Sequence, residues 1–485
     1  MAKQRSIKSR PPKQTGGTLV MKFGGTSVGS VEALSLAAEI VLTQENEWER
    51  VVVVVSAMSG VTNDLIACAH AAADGDEEAY QRILSELHSH HRETVENLLS
   101  QDPQRGELLA TLDGYFAEIT SYCSSIYTMS EVTNRGMDAI TSFGERMNAR
   151  VFSALLRWKG INSQAIDATE LIVTDAKYQD ASPKMRATCA RITENLIPIL
   201  DDKIIPVVTG FMGATEDGII TTLGRGGSDY TASILGDCLD ASEVWTLTDV
   251  DGVMTADPRS VKEARVIPEI SFYEVSEMAY FGAKVLHPKT FRPIIERDIP
   301  LWVKNTFNFS NPGTRITSKK NRITGKISAV TSISGLSLVT VEGRGMLGVP
   351  GIAARTFSAV AKEGTSVLMI SQASSEQSIC FVIPSDAVPK VTQSIEQEMA
   401  LELSRGDIDR VWAQDDVVIV TAIGAGLRKT PGVSARLFGA LGEAEINVIA
   451  IAQGSSEYSI SIVIAADDVD HAVQKIHKEV IINGS

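Results

Sequence analysis

The segment TLVMKFGGTS, residues 18–27, decides how the chain begins to fold. The apolar part of this segment, Leu19 to Phe23, is typical of a buried strand. The glycines after it predict a turn, and a helix is predicted to follow from about Val28 to Leu42. Val51 to Ser56 repeats the pattern, with a second helix beginning near Thr62. Two strand–turn–helix units in tandem predict a parallel sheet with helices on both faces.

The α/β pattern continues beyond these two units. Helical periodicity begins near residue 76, is broken at Asp102, and indicates a helical insert at about 76–135. Strand-like runs return at Ile204 to Thr209 and Val244 to Thr248, with a helix between them that opens at Ser228. We therefore predict one α/β domain at 18–320, ended by a polar linker at 318–326.

The C-terminal part of the chain contains an internal repeat. Residues 349–357 match 430–438, and residues 370–376 match 451–457 in the same register. Each copy predicts a strand, a helix started by proline, further strands and a second helix. Two small α+β modules, at 331–411 and 412–485, follow from this duplication.

Composition excludes several classes of protein. The 485 residues carry a net charge of −15 at a pI near 5.1, which argues against a nucleic acid partner. Apolar runs stay short of the ~18 residues of a membrane span, so we expect no membrane partner. Five scattered cysteines without a C-x-x-C pair argue against a disulfide framework and a zinc site, and favour a cytoplasmic location.

The first seventeen residues are basic, lack acidic residues and contain prolines and glycines. This composition predicts that residues 1–17 form a disordered arm. A targeting peptide is the alternative, but it would need an apolar core or a longer amphipathic stretch rich in arginine and serine.

The first candidate motif is Lys22 to Ser27, where a strand gives way to a helix. Glycines there let backbone N–H groups approach a phosphate, the helix N-terminus adds partial positive charge, and Lys22 adds a full one. The spacing differs from the Walker motif, which disfavours a P-loop protein. A turn without function is the alternative reading.

The second motif is TTLGRGGSDYTA, residues 221–232. Arg225 can bind a carboxylate in bidentate fashion, the residues after it present N–H donors, and Asp229 can hold lysines in place. Alternatively, Ser228 and Asp229 only cap a helix.

The third motif is TLTDVDGVMTADPR, residues 246–259, and the fourth is FGAKVLHP, residues 281–288. The third follows a strand, at the edge where open α/β sheets bind ligands, and its acids either hold magnesium, shape a nucleotide pocket or form an Asx-rich turn.

In the fourth, Lys284 stands among apolar neighbours, where a cation is costly unless an anion pairs with it; a surface lysine is the alternative.

Together the four motifs and the duplicated tail resemble the aspartate kinases of the amino-acid kinase family, from about residue 18 to the C-terminus. The resemblance implies an αβα sandwich with a mostly parallel central sheet, followed by two ferredoxin-like ACT-type regulatory domains. It implies L-aspartate and ATP as substrates, Mg²⁺ as cofactor and 4-phospho-L-aspartate as product. This reaction would be the first step in the biosynthesis of lysine, threonine and methionine.

The resemblance also implies residue roles. The transferred phosphoryl is stabilised by two lysines that an aspartate positions, namely Lys22, Lys284 and Asp229. Residues that bind the amino acid are Thr62, Glu145, Arg225, Gly226, Gly227 and Ser228. The nucleotide is bound by Lys22, Gly24, Gly25, Thr248, Asp249, Met254, Arg259, Lys284 and Val285. Met254 departs from members that have tyrosine there, and the metal ligands are left unassigned.

The chemistry implied is self-consistent, because an aspartate β-carboxylate with a pKa near ~3.9 is ionised at neutral pH and needs no general base. A kinase for another acidic amino acid, such as glutamate, is an alternative, since one methylene discriminates by only about 1–3 kcal/mol. A non-catalytic amino-acid sensor is another.

The tail is most similar to the kinase half of bifunctional aspartate kinase–homoserine dehydrogenases. This resemblance implies that Gln372 and Gln453 contact a regulatory amino acid, threonine in preference to lysine. No G-x-G-x-x-G motif occurs, so we expect no dehydrogenase activity from this chain. ACT-type domains further imply a homodimer or a higher homo-oligomer.

Overall fold

A computed structural model describes residues 15–283, 286–318, 326–346, 349–372, 377–453 and 457–483. The chain forms two compact units. Of the described residues, the first unit contains those up to Val253, then 268–272 and 286–318, and the second contains 254–267, 273–283 and those from 326 onwards. Of the predicted linker, 319–325 lie outside the described residues.

The first unit is built on an eight-stranded sheet with the order β3-β4-β2-β1-β7-β9-β10-β8. Neighbouring strands run parallel except β9 and β10, and a separate hairpin joins β5 to β6. The strands are β1 (Thr15–Phe23), β2 (Trp48–Val55), β3 (Ser163–Ile166), β4 (Ile205–Thr209), β5 (Met212–Ala214), β6 (Ile220–Thr222), β7 (Glu243–Thr248), β8 (Glu269–Ser271), β9 (Leu301–Asn305) and β10 (Thr314–Thr317). The predicted mostly parallel sheet is confirmed.

Helices cover this sheet and form the predicted insert. They are α1 (Val31–Glu47), α2 (Val61–Ala73), α3 (Glu77–Leu98), α4 (Arg105–Met129), α5 (Asn134–Trp158), α6 (Met185–Asn195), α7 (Ile197–Asp201), α8 (Gly227–Cys238), α9 (Phe272–Tyr280, which continues into the second unit) and α10 (Arg292–Ile295). The break at Asp102 lies between α3 and α4, where its side chain accepts a hydrogen bond from the Gln104 N–H at 2.8 Å.

The centre of the sheet explains why the apolar runs formed strands. Val51 to Val55 of β2 are all buried, because β2 lies between β1 and β4 with protein on both faces. Strand β1 pairs with β2 on one side and with β7 on the other. It begins at Thr15, so the strand reaches into the segment predicted as a disordered arm; residues 1–14 lie outside the described residues.

The second unit contains a six-stranded antiparallel sheet, order β12-β13-β11-β14-β16-β15. Its strands are β11 (Ile327–Glu342), β12 (Met369–Gln372), β13 (Ser378–Pro384), β14 (Arg410–Gly424), β15 (Ala450–Ala452) and β16 (Ser459–Ala465). The helices are α11 (Ile352–Lys362), α12 (Val388–Glu398), α13 (Ala400–Arg405), α14 (Val433–Glu443) and α15 (Val469–His477). Two copies of one α+β module are therefore joined through β11 and β14, as the repeat predicted.

One detail of the repeat differs from the prediction. The proline-started helices of the two copies begin one residue after a glycine, at Ile352 and Val433, rather than at the proline. Gly351 and Gly432 are the N-caps, with φ of +96° and +86°, a backbone region that favours glycine. The proline and glycine thus form the turn that precedes each helix.

A disulfide between Cys189 and Cys238 contradicts the expectation that the cysteines are unpaired. The sequence separation of 49 residues hid the pairing, but α6 and α8 pack side by side and bring the two Cα atoms to 4.9 Å. Cys68, Cys123 and Cys380 are free thiols.

We expect a reducing agent to lower the free energy of unfolding by about 2–4 kcal/mol, because this bond closes a long loop in the unfolded chain. Denaturant titration with and without dithiothreitol measures the difference. Cys238→Ser should abolish the response to the reductant and Cys380→Ser should keep it. An unchanged response in Cys238→Ser would contradict the assignment.

None of the helices in the described segments has both the length and the apolar character that crossing a membrane requires.

Candidate active site

The glycine turn after β1 packs against the ends of two neighbouring strands. The Gly24 N–H donates to the Leu247 carbonyl of β7 at 2.9 Å, and the Ser27 hydroxyl donates to the same oxygen at 3.2 Å. A Cβ atom at Gly25 would lie 3.2 Å from the Ala57 carbonyl, just after β2. The turn therefore lies at the carboxyl edge of the sheet, where open α/β sheets bind ligands.

Lys22 and Asp229 form a buried ion pair at this edge. The Nζ atom of Lys22, in β1, lies 2.8 Å from Oδ1 of Asp229, and the two side chains are only 9% and 19% exposed. Asp229 also accepts a hydrogen bond from the Thr246 hydroxyl of β7 at 3.2 Å. Three elements that are far apart in sequence hold the Lys22 ammonium in place.

The helix that carries Asp229 begins without a side-chain cap. Its N-cap is Gly226, in the left-handed region with φ of +74°, so the alternative in which Ser228 and Asp229 cap the helix is wrong. Ser228 is buried instead, and a Cβ atom at Gly210 would lie 2.5 Å from its Oγ. The Gly227 N–H donates to the Gly224 carbonyl at 2.9 Å, and the N–H groups of Ser228 and Asp229 are the ones left at the helix N-terminus.

Most of the candidate residues line two adjoining cavities. The first, of about 660 Å³, is lined by Lys22, Asp138, Gln179, Thr222 and residues 224–229, among others. The second, of about 410 Å³, is lined by Gly24, Gly25, Thr62, Glu145 and Thr248, among others. Ser56 and Phe211 line both cavities, which therefore meet at these two residues.

Glu145, on α5, is a buried carboxyl with an unused acceptor. Burial raises its pKa to about 8, although a hydrogen bond from the Ala57 backbone and the charge of Lys22 act in the opposite direction. Within the described part of the chain its Oε2 atom has no hydrogen-bond partner. A buried acceptor at a cavity wall is suited to a cationic donor, such as the ammonium of an amino acid.

Some predicted site residues are not brought into these cavities. Met254 and Arg259 belong to the second unit, and the Arg259 guanidinium binds Asp257 at 2.6 Å. Asp249 is exposed and accepts a hydrogen bond from the Thr248 hydroxyl at 3.0 Å. Lys284 and Val285 lie outside the described residues. The nucleotide role of these residues stays a prediction.

The acidic residues of the third motif differ in the hydrogen bonds that they already accept. Asp251 accepts hydrogen bonds from the Asn305 and Asn308 side-chain amides at 2.7 and 3.0 Å, so its carboxylate fixes the segment that follows β9. In the segments that the structure describes, the one group of three candidate ligands is Cys189, Asp237 and Cys238, and its cysteines form the disulfide.

A ready-made protein cage for Mg²⁺ is therefore absent among the described residues. Magnesium is commonly held by one or two carboxylates together with substrate phosphates. Asp229 fits that pattern, because it lines the first cavity and both Lys22 and Thr246 contact its Oδ1 atom, whereas Asp249 lines neither cavity.

The two candidate effector residues occupy corresponding places in the second unit. Gln372 ends β12, Gln453 directly follows β15, and both side chains are exposed. The outer strands β12 and β15 approach each other, and the Ser371 hydroxyl donates to the Ile451 carbonyl at 3.4 Å. Residues 373–376 and 454–456, which complete the repeated motif, lie outside the described residues.

Sequence reasoning missed several residues of the first cavity, notably Asp138, Gln179 and Phe211. Asp138 had one usable signal: it precedes Glu145 by seven residues on the same helix, a spacing that puts both side chains on one face. Gln179 and Phe211 lie in loops without a motif, so nothing in the sequence pointed to them.

Comparison with known proteins identifies two families and several relatives that this chain resembles. Residues 17–305 match the amino acid kinase family, and residues 339–399 and 420–480 each match the ACT domain. The chain is 37% identical over 464 residues to bifunctional aspartokinase/homoserine dehydrogenase 1, chloroplastic, of Arabidopsis thaliana, which covers 94% of this chain and 50% of the relative. This chain thus spans about half the length of the bifunctional relatives it matches.

A second relative is matched over most of its length. Aspartokinase 1, chloroplastic, of Arabidopsis thaliana is 32% identical over 489 residues, with 97% of this chain and 81% of the relative covered. Among solved structures, E. coli aspartokinase III in complex with aspartate and ADP has a TM-score of 0.77 at 31% identity. The same protein in complex with lysine and aspartate gives 0.78 at 31% identity, and both alignments cover 96% of this chain and 99% of that one.

Proposed function

Since this chain belongs to the amino acid kinase family, and within it to the aspartokinases, we propose that it transfers the γ-phosphoryl group of ATP to the β-carboxylate of L-aspartate. The observation that carries the proposal is the shared wall of the first cavity, where Lys22 lies beside the Arg225 loop and the start of α8. A cation, a guanidinium and helix N–H groups facing one space are what two reacting anions require.

The amino acid would be held by the two charged groups on its α-carbon. Arg225 is exposed at the first cavity and can bind a carboxylate through two parallel N–H donors. The unused Oε2 of Glu145 accepts from the α-ammonium, across the junction that Ser56 and Phe211 form between the cavities. Two contacts of opposite charge orient an acidic amino acid and leave its side-chain carboxylate free to react.

The phosphoryl transfer itself needs charge neutralisation more than proton transfer. The acceptor carboxylate is ionised at neutral pH and attacks phosphorus directly. Lys22, kept in place by Asp229, neutralises the charge that spreads over the transferring oxygens, and within the glycine turn the N–H groups of Gly25 and Thr26 bind phosphate. Asp229 is the carboxylate that would hold Mg²⁺, and the metal would supply further neutralisation of phosphate charge.

Acyl-phosphate formation tests this proposal. The chain is incubated with ATP, Mg²⁺ and either aspartate or glutamate, and the product is trapped by hydroxylamine. We expect hydroxamate from aspartate. Product from glutamate alone would identify a kinase for a different acidic amino acid, and no product with either would favour a non-catalytic sensor.

We expect kcat/KM for aspartate to rise with pH, because ionised Glu145 forms a charged pair with the substrate ammonium, whereas the protonated carboxyl offers only a neutral oxygen. With its pKa raised to about 8, Glu145 is protonated below that pH, so kcat/KM should rise about tenfold per pH unit from 6 to 7 and level off above 8. Initial rates at low aspartate concentration measure this profile.

Glu145→Gln is the matched variant for the pH profile. It should lower kcat/KM and remove this ionisation, which leaves a flatter dependence. A wild-type kcat/KM that is constant between pH 6 and 8 would refute the role of Glu145.

Regulation by an end-product amino acid extends the proposal to the second unit. We favour threonine over lysine, because the repeated motifs at 370–376 and 451–457 resemble those of the bifunctional enzymes; the complex of E. coli aspartokinase III with lysine is what supports lysine as the second candidate. The exposed Gln372 and Gln453 are the proposed contacts. Isothermal titration with each amino acid decides, and heat from lysine alone would exclude threonine.

Assembly, location and domain limits remain parts of the proposal. Ile370 and Ile451 are 51% and 46% exposed on the outer strands of the second sheet, which supports a homodimer formed through these modules. A cytoplasmic location is also part of the proposal. The plant relatives differ in this respect, because their names describe them as chloroplastic. The proposed kinase domain is 18–320 and the regulatory modules are 331–411 and 412–485.

A further inference from the structure

A buried carboxylate, Asp138, joins the two loops that form one wall of the first cavity. We propose that Asp138 is a positioning residue for the Arg225 loop, and that it controls how well the enzyme binds the amino-acid substrate without acting on the nucleotide. This inference rests on the proposed function, in which Arg225 binds the carboxylate of that substrate.

The carboxylate of Asp138 accepts from two segments at once. It receives the Thr222 N–H at 3.0 Å and the Thr222 hydroxyl at 2.7 Å, from the end of β6. The Gln179 N–H approaches its two oxygens at 3.1 and 3.0 Å. Gln179 has a φ of +67°, so this bond also stabilises a backbone conformation that is unfavourable for a residue other than glycine.

All of these contacts have Asp138 as the acceptor. The residue is 1% exposed, and burial raises the pKa of its carboxyl, although the hydrogen bonds from Thr222 and Gln179 oppose that effect. An asparagine has nearly the same shape, but it would direct an NH₂ group at one of these N–H donors. The site is therefore selective for a carboxylate over its own amide.

The short segment from Thr222 to Arg225 is held by hydrogen bonds and close contacts with neighbouring segments. The Thr222 carbonyl accepts from the Ala181 N–H at 2.9 Å, and the Leu223 carbonyl accepts from the Lys289 ammonium at 3.2 Å. A Cβ atom at Gly224 would lie 2.9 Å from the Gln179 carbonyl, so the two loops are in close contact. A shift of Thr222 or Gln179 is consequently passed on to Arg225, which follows within three residues.

The test compares Asp138→Asn with two other variants. Thr222→Val removes only the hydroxyl contact, and Asp202→Asn makes the same chemical change at an exposed residue of the first unit. For each protein, kcat, KM for aspartate and KM for ATP are measured, together with the melting temperature and the Kd of aspartate by calorimetry.

We expect Asp138→Asn to raise KM and Kd for aspartate about tenfold, with KM for ATP within about twofold of wild type and kcat within about threefold. Thr222→Val should change the same constants in the same direction by about threefold, and Asp202→Asn should change none of them. A structural defect would instead raise both KM values and lower the melting temperature.

Two results would overturn the inference. One is an Asp138→Asn protein with unchanged aspartate affinity, and the other is equal loss of aspartate and ATP affinity. If Asp138→Asn does not fold, Thr222→Val decides by the same criteria. Calorimetry keeps the two proposals apart: a wild type that binds aspartate but forms no acyl phosphate refutes the proposed function alone, and one that binds no aspartate refutes both.

Discussion

Lys22→Met is expected to lower kcat by about 10³-fold, the largest effect of any single substitution in the site. Methionine keeps the length of the side chain but removes the charge that neutralises the transferring phosphoryl group. Loss of one preorganised donor from such a site costs about 10²–10³ in rate, and loss of a full positive charge costs as much or more. Single-turnover formation of ADP measures the chemical step directly.

Stability has to be separated from catalysis in this variant. Lys22→Met leaves Asp229 without its cation, and removal of one partner of a buried pair costs about 3–5 kcal/mol. The double variant Lys22→Met/Asp229→Asn removes the unpaired charge, so its melting temperature should recover while its activity stays low. Turnover within tenfold of wild type in Lys22→Met would show that the ammonium does not act on the phosphoryl group.

Arg225→Ala is expected to lower kcat/KM for aspartate by about 100-fold and to leave KM for ATP unchanged. A charged hydrogen-bonded pair contributes about 1.5–3 kcal/mol, and the bidentate geometry puts this one at the upper end. Arg225→Lys keeps the charge but loses the planar fork, so it should fall between wild type and Arg225→Ala.

Arg297→Lys is the control for the loss of an arginine. Arg297 is 51% exposed in the first unit and pairs with Asp237 and Asp240, away from the residues that line the two cavities. Its substitution should leave both KM values unchanged. Equal losses for aspartate and ATP in Arg225→Ala would contradict its assignment to the amino acid.

Much of the fold followed from local sequence patterns. The strand runs Leu19 to Phe23 and Val51 to Val55 and the two α+β repeats have the predicted structure, because periodicity and glycine turns act over a few residues. The start of β1 and the glycine caps before α11 and α14 were missed, since strand pairing and left-handed backbone are not encoded by apolar spacing.

The candidate site divides in the same way. Lys22, Arg225 and Asp229 belong to motifs whose glycines and charges are adjacent in sequence, and they were found there. Asp138 carries no motif, and its function depends on Thr222 and Gln179, which are 84 and 41 residues away. The Cys189–Cys238 bond depends likewise on the packing of α6 against α8.

The sequence by itself determined the parallel α/β domain, the duplicated modules and the chemical types available for binding two anions, because each of these is written in contiguous residues. Only the tertiary structure decided which charges meet: the Lys22–Asp229 pair, the buried unused oxygen of Glu145 and the Asp138 contacts. Hydrogen bonds and ion pairs act over about 3 Å, and only the folded sheet brings such distant residues within that range.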